Sequence, residues 1–255
     1  MKWEGIIFDW AGTTVDFGSM APVEVFKAIF EEKGIPVTNE EVRKPMGMLK
    51  WDHIQTMLAM PRIQAAWEAA YGRAPEDSDV DALFHAFEPK LMSILARGTA
   101  LKPYVKDAVD ALRMRGYRLG STTGYTDAMM EPVRMSAEKA GYAPDFWITP
   151  DGVDGKGRPY PYMIFRNMEA LGWKQADRIL KVGDTVADIE EGRNAGVKTA
   201  GILVGSSVMG LAEAEYDALS PDEKDAACRK AAAVYYAAGA DYVFHDIRDV
   251  LAVAE

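Results

Sequence analysis

The sequence predicts an α/β protein: a doubly wound, parallel, Rossmann-like sheet with an all-helical cap domain inserted after its first strand. Three observations lead there. A short apolar run, Gly5-Ile6-Ile7-Phe8, stops at Asp9 and is broken at Gly12-Thr13-Thr14, the pattern of a buried strand. From residue 101 onward, strand-length apolar runs alternate with helix-length stretches, which implies parallel strands joined by crossover helices. Between these parts, residues 20–100 carry helical periodicity and no convincing strand.

In that middle stretch Val23, Phe26, Ile29 and Phe30 recur at helical spacing. Leu58, Ile63, Trp67, Leu83, Phe84, Phe87, Leu91 and Leu95 extend the helix-rich pattern. Asn39, with Glu40 and Glu41 after it, suits a helix start, and Pro61, Pro75 and Pro103 suit helix boundaries. Further on, helices are expected at 105–114, 128–140, 161–171, 186–195 and 222–238. Strands are expected at 117–121, 146–148, 179–182, 199–204 and 242–244, with a last helix closing the chain. The expected organisation is an α/β core of residues 1–19 and 101–255, with residues 20–100 as the cap.

Composition narrows the function classes. With 255 residues, 49% of them hydrophobic, the chain can bury a sizeable core. A formal net charge of -10 argues against passive attraction to nucleic acid or an anionic membrane. It leaves a small anionic substrate open, because a local site can be positive on an acidic protein. The lone Cys228 can form neither an internal disulfide nor a metal cluster, and has no nucleophile context. Met1-Lys2-Trp3-Glu4 lacks the features of a signal peptide. No apolar run approaches the roughly 18 residues of a membrane span. A cytoplasmic protein is expected.

In open α/β sheets, ligands bind beyond the carboxyl ends of the strands. Asp9 follows the first strand, Ser121-Thr122-Thr123-Gly124 the second, and Gly183-Asp184 the fourth, with Asp188 close behind. Gly157-Arg158-Pro159 precedes a helix between them. Paired carboxylates suit Mg²⁺, a hard cation that prefers oxygen. A hydroxyl and a guanidinium suit phosphoryl oxygens. A carboxylate can itself attack phosphorus and form an aspartyl-phosphate.

Asp9-Trp10-Ala11-Gly12-Thr13, Ser121-Thr122-Thr123-Gly124 and Gly183-Asp184-Thr185-Val186-Ala187-Asp188 resemble the ordered signature segments of the haloacid dehalogenase superfamily. The resemblance covers the whole chain, the inserted cap included. It implies that Asp9 is the nucleophile and a metal ligand, that Ala11 lends its backbone carbonyl to Mg²⁺, and that Asp184 is the second carboxylate ligand. Asp188 would support Asp184 or a bound water; alternatively it caps the helix beginning near Val186. Thr123 and Arg158 would hold a phosphoryl group. Many superfamily members carry lysine where Arg158 falls.

Ala11 is the informative departure. Superfamily phosphatases and mutases usually have a second aspartate there, which protonates the leaving oxygen. Alanine cannot do so. Either the protein is catalytically silent or its leaving group needs no acid at that point. A carbon leaving group needs an electron sink instead, and a lysine imine is one.

The cap segment Arg43-Lys44-Pro45-Met46-Gly47-Met48-Leu49-Lys50-Trp51-Asp52-His53 resembles the substrate-covering segment of carbon–phosphorus-cleaving members of the superfamily. Thr123-Gly124-Tyr125-Thr126 and Gly157-Arg158-Pro159-Tyr160-Pro161 resemble them too. The resemblance implies hydrolysis of an aldehyde-bearing phosphonate through a Lys50 Schiff base. His53 would relay protons or orient the bound group, and Met46, Gly47 and Tyr125 would line the pocket. The Lys50 amine must be neutral to attack, so its pKa is expected below that of free lysine. A homodimer is implied, joined through cap helices such as the one bearing Val23, Phe26 and Phe30. An ordinary phosphatase of the same fold is the rival that Ala11 opposes. A silent binding module is the rival that Asp9 and Asp184 oppose.

Overall fold

Six strands build one parallel sheet: β1 (Gly5–Phe8), β2 (Arg118–Thr122), β3 (Phe146–Ile148), β4 (Ile179–Gly183), β5 (Lys198–Ile202) and β6 (Tyr242–Phe244). A computed structural model describes residues 3–97 and 99–254 of the chain. Met1 and Lys2, part of the segment on which the signal-peptide reading rests, lie outside the described residues. The strand order is β3-β2-β1-β4-β5-β6, so the winding reverses beside β1 and opens a crevice at the strand ends. β1 and β4 are buried at every position, as strands covered on both faces must be, and so they read as continuous runs. Phe8 stands level with both Ser121 and Val182. The next residue of each strand therefore emerges at one rim: Asp9, Thr122 and Gly183.

Five helices follow β1: α1 (Met20–Glu32), α2 (Asn39–Arg43), α3 (Lys50–Leu58), α4 (Pro61–Tyr71) and α5 (Asp77–Leu95). The chain thus has the expected fold class, a Rossmann-like α/β sheet with an inserted helical cap. α5 buries Val80, Leu83, Phe87, Leu91 and Leu95, an i, i+3, i+7 stripe that packs on α1 and α3. Pro61 opens α4, where its missing N–H is harmless.

The cap of α2 is Thr38 rather than Asn39. The Thr38 hydroxyl accepts from Glu41 N (3.2 Å) and the Glu41 carboxylate accepts from Thr38 N (2.8 Å), a reciprocal capping box. The apolar residues of α1 face inward. Val23, Phe26 and Phe30 are at most 1% exposed within the single chain, so helical periodicity marked a buried face but not what covers it.

The remaining helices are α6 (Val105–Met114), α7 (Asp127–Lys139), α8 (Tyr162–Leu171), α9 (Val186–Ala195), α10 (Glu213–Ala218), α11 (Pro221–Ala238) and α12 (Val250–Val253). α10 was not anticipated. β5 ends at Ile202, short of the expected 204, yet Leu203 N and Val204 N still donate to Phe244 O and His245 O at 2.9 Å. The pairing runs on irregularly until Gly205 turns the chain with φ +69°.

Candidate active site

A chamber of about 20 Å³ lies where the cap meets the sheet rim. It holds Asp9, Ala11, Thr123, Gly124, Arg158 and Asp184 from the core, with Met46, Gly47 and Lys50 from the cap. Tyr125, Ser19 and Thr185 complete its wall, and the last two were not anticipated. That volume admits about one water, so the chamber is narrow. A larger cleft of about 170 Å³ beside Phe17, Tyr104 and Arg248 also carries charged groups, Lys102 and Asp246 among them, but holds neither Asp9, Arg158 nor Asp184; size alone does not mark the site.

Close packing of glycines narrows it. Gly47 has φ +93°, and a Cβ there would stand 2.4 Å from Thr185 Oγ1. A Cβ on Gly124 would stand 2.8 Å from the carbonyl oxygens of Gly47 and Met48. The cap loop thus rests on the core backbone to backbone.

Asp9, Asp184 and Asp188 offer carboxylate oxygens within 4.8 Å of one another, all buried. Burial, and then the charges of Asp9 and Asp188, push the Asp184 carboxyl well above the usual carboxylate range. Such a set of hard oxygen donors fits a divalent cation. Asp184 Oδ2 accepts from Ser207 N at 2.7 Å. Gly12 must lack a side chain here, since a Cβ would lie 1.9 Å from Asp184 Oδ2.

Asp188 is differently employed. Its Oδ2 accepts from Thr185 N (3.2 Å) and Thr185 Oγ1 (2.6 Å), capping α9. Its Oδ1 lies 2.8 Å from Lys181 Nζ and 3.1 Å from Arg158 Nη2. Burial alone would raise its carboxyl, but the Arg158 and Lys181 charges outweigh it and hold it below its ordinary value. The capping reading of Asp188 is therefore realised, and the same carboxylate also anchors two cations.

Arg158 sits at the centre of this buried network. Its Nη2 donates to Asp9 Oδ1 (2.6 Å) and Thr122 Oγ1 (2.9 Å), and its Nε donates to Glu191 Oε2 (3.0 Å). Burial opposes its charge, but Asp188, Asp9 and Glu191 more than compensate and keep it protonated. Among the described residues its carboxylate partners are all buried. Lys181 Nζ, wholly buried, reaches Thr122 Oγ1 at 2.9 Å and Glu191 Oε2 at 3.5 Å. Lys181 and Glu191 were not singled out from sequence. A charged residue inside Ile-Leu-Lys-Val-Gly, a strand buried on both faces, was the available signal.

Lys50 is the first residue of α3 and is 2% exposed. Its ammonium lies 5.3 Å from the Tyr125 ring centroid and 5.9 Å from that of Phe26. Burial draws its pKa from 10.5 down to about 8, with Asp9 opposing and Arg158 assisting. About a tenth of it is free amine at pH 7.

His53 lies one turn along α3, behind Lys50 rather than in the chamber wall. Its ring stacks on Phe26 with centroids 4.0 Å apart. Nε2 is 2.8 Å from Val42 O; a carbonyl only accepts, so Nε2 carries the hydrogen and Nδ1 the lone pair. Nδ1 is buried and has no hydrogen-bond partner among the described residues. Burial and the Lys50 charge hold the His53 pKa well below 6.5, so the ring is neutral. Thr123 Oγ1 accepts from Tyr125 N at 3.1 Å.

Fold and site together define a class: the chain belongs to the haloacid dehalogenase-like hydrolases, whose family residues 3–196 match. It is a hydrolase. A phosphonoacetaldehyde hydrolase of Lysinibacillus sphaericus (strain C3-41) is 52% identical over 250 residues, 98% of this chain and 93% of that protein. The phosphonoacetaldehyde hydrolase of Bacillus cytotoxicus is 44% identical, spanning 100% of this chain and 96% of its own. A phosphonoacetaldehyde hydrolase-like protein from Oleispira antarctica has a crystal structure that superposes with a TM-score of 0.95 at 37% identity, covering 100% of this chain and 92% of that one.

Proposed function

We propose that the protein hydrolyses the carbon–phosphorus bond of phosphonoacetaldehyde to acetaldehyde and phosphate. One observation carries the reading: Lys50, a buried amine with a lowered pKa, and Asp9 line one chamber. The full-length relatives of that name support it.

Lys50 Nζ, as free amine, attacks the aldehyde carbon and expels water, leaving a protonated imine. Asp9 then attacks phosphorus, and the P–C bond breaks. Its electron pair becomes the carbon–carbon double bond of an enamine as the imine nitrogen takes up the displaced pair. One water hydrolyses the aspartyl-phosphate to free Asp9 and phosphate. The enamine carbon takes a proton, and a second water releases acetaldehyde and regenerates Lys50. The net consumption is one water. No acid is needed at position 11, which is why Ala11 suffices.

Arg158 and Thr123 bind the phosphonyl oxygens, and Arg158 moves from Asp9 to the substrate when it arrives. His53 acts through Lys50: Nδ1 is a neutral base next to it, kept in one tautomer by Val42. Met46, Gly47 and Tyr125 shield the imine from bulk water. Asp9, Asp184 and the Ala11 carbonyl would hold Mg²⁺, with Asp188 supporting them. When bound, the ion neutralises the repulsion between Asp9 and an anionic substrate.

The narrow chamber is too small for this substrate. The cap of residues 20–100 therefore lifts from the core of residues 1–19 and 101–255 to admit it. A homodimer in the cytoplasm is part of the same proposal; the dimer rests on the family resemblance alone. Among the described residues no helix is long and apolar enough to cross a membrane.

The test is phosphate release from phosphonoacetaldehyde against release from p-nitrophenyl phosphate, both with Mg²⁺. Rapid release from the phosphonate alone is expected. Rapid release from the ester alone would make the protein a phosphatase despite Ala11.

A further inference from the structure

We propose that Arg43, at the end of α2 in the cap, is a positioning residue for Asp184 and acts through Ser207. The inference rests on the proposed function, which gives Asp184 its part in holding the metal. Arg43 Nη1 donates to Gly18 O at 2.9 Å and to Ser207 O at 3.2 Å, while Nη2 lies 3.1 Å from Met20 Sδ. The amide N–H of the same Ser207 donates to Asp184 Oδ2 at 2.7 Å. One residue of the core loop after β5 is thus gripped from one side by the cap, and with its other side it aims the carboxylate.

The surrounding backbone is shaped for this contact. Gly210 packs on the Arg43 side chain, and a Cβ there would stand 3.1 Å from Arg43 Cδ and Nε. Gly18, with φ +76°, runs so close to the same loop that a Cβ would meet Leu211 O at 2.3 Å. Arg43 therefore joins three pieces at once: the strand-to-cap connection, the cap helix and the loop carrying Ser207.

Asp184 depends on that loop more than its neighbours do. Asp9 has Arg158 at 2.6 Å, and Asp188 has Lys181 at 2.8 Å. Among the described residues, Asp184 has only the Ser207 amide and the Thr13 hydroxyl, the latter 3.5 Å away. Among the described residues no side-chain cation contacts it, so its direction is set by the loop, which Lys102 holds at Val204 and Gly205 and Arg43 holds at Ser207.

The consequence is a coupling between cap and metal. When the cap lifts, the guanidinium leaves Ser207; the loop keeps its Lys102 anchor at Val204 and Gly205 but is freed at Ser207, so Asp184 is aimed best under a closed cap. By reciprocity the ion favours closure as much as closure favours the ion. Outer residues that orient a ligand commonly change metal affinity 10–100-fold when removed.

Isothermal titration of the substrate-free protein with MgCl₂ tests this. Arg43→Ala should weaken Mg²⁺ binding about tenfold. Arg43→Lys, which keeps the charge but loses the fork, should weaken it less, and decides the matter if the alanine variant does not fold. Arg62→Ala removes a pair with Glu41 lying wholly within the cap and should leave Mg²⁺ affinity unchanged. A cleft of about 560 Å³ lined by Arg43, Lys44, Ser207 and Lys230 runs along the seam, so millimolar guanidinium should restore Mg²⁺ affinity to Arg43→Ala. Affinity of Arg43→Ala within about twofold of the wild type overturns the inference. Failure of the wild type to cleave phosphonoacetaldehyde would overturn the proposed function instead, whatever Arg43→Ala does to Mg²⁺ binding.

Discussion

Replacing Lys50 by Met should make the protein more stable at neutral pH while removing its activity. The magnitude follows from burial. The folded chain holds the Lys50 proton with a pKa of about 8, against 10.5 for the exposed side chain. At about 1.4 kcal/mol per pH unit, that difference opposes folding by about 3 kcal/mol. The penalty is full below about pH 8, where both folded and unfolded chains are protonated. It fades as pH rises toward 10.5, where the unfolded chain also loses the proton. Met keeps the apolar stem but loses the attraction to the Tyr125 and Phe26 rings, roughly 1 kcal/mol or less each. A net gain of about 1–3 kcal/mol at pH 7 is expected, or several degrees in melting temperature for a chain of this size. Thermal or urea unfolding at pH 7 and pH 10.5 measures it. A variant less stable than the wild type at pH 7, or a gain independent of pH, would refute the claim that the lysine is held in an environment hostile to its charge.

Other perturbations separate the parts of the site. Asp9→Asn should lower phosphate release by at least about 10⁴-fold while still permitting imine formation at Lys50, read by steady-state assay beside chemical trapping. Glu191→Ala deprives Arg158 and Lys181 of one of the two carboxylates they share; denaturant unfolding should show a loss of about 3–5 kcal/mol, and KM should rise more than kcat falls. In Gly47→Ala, the new methyl group would meet Thr185 Oγ1 at 2.4 Å with φ +93°. Cap closure should then be opposed by about 1–3 kcal/mol, and kcat/KM should fall roughly tenfold or more with the melting temperature little changed.

Much of this architecture was legible in the sequence because it rests on local rules. Strands covered on both faces must be apolar throughout, so β1 and β4 announced themselves, and with them the rim that carries Asp9 and Asp184. Lys50 was legible only through resemblance; nothing in its neighbours foretold a buried amine. Thr38 was missed as a cap because Asn39 looked as suitable, and only geometry decides which oxygen meets Glu41 N. The apolar face of α1 is a related case. The spacing of Val23, Phe26 and Phe30 states that one face is buried, not by what, and it is covered by the chain's own α5. Arg43 and Glu191 owe their importance to partners far away in sequence, Ser207 for the first and Arg158 for the second. Such pairings exist only after the sheet has formed, so no local pattern records them.

The most direct measurement is reduction of the working enzyme with sodium borohydride in the presence of phosphonoacetaldehyde, followed by peptide mass analysis. The expected result is permanent inactivation, with a single two-carbon adduct on the peptide containing Lys50 and none when substrate is withheld. Full activity after reduction, an adduct at another lysine, or undiminished turnover by Lys50→Arg would contradict the mechanism at its centre.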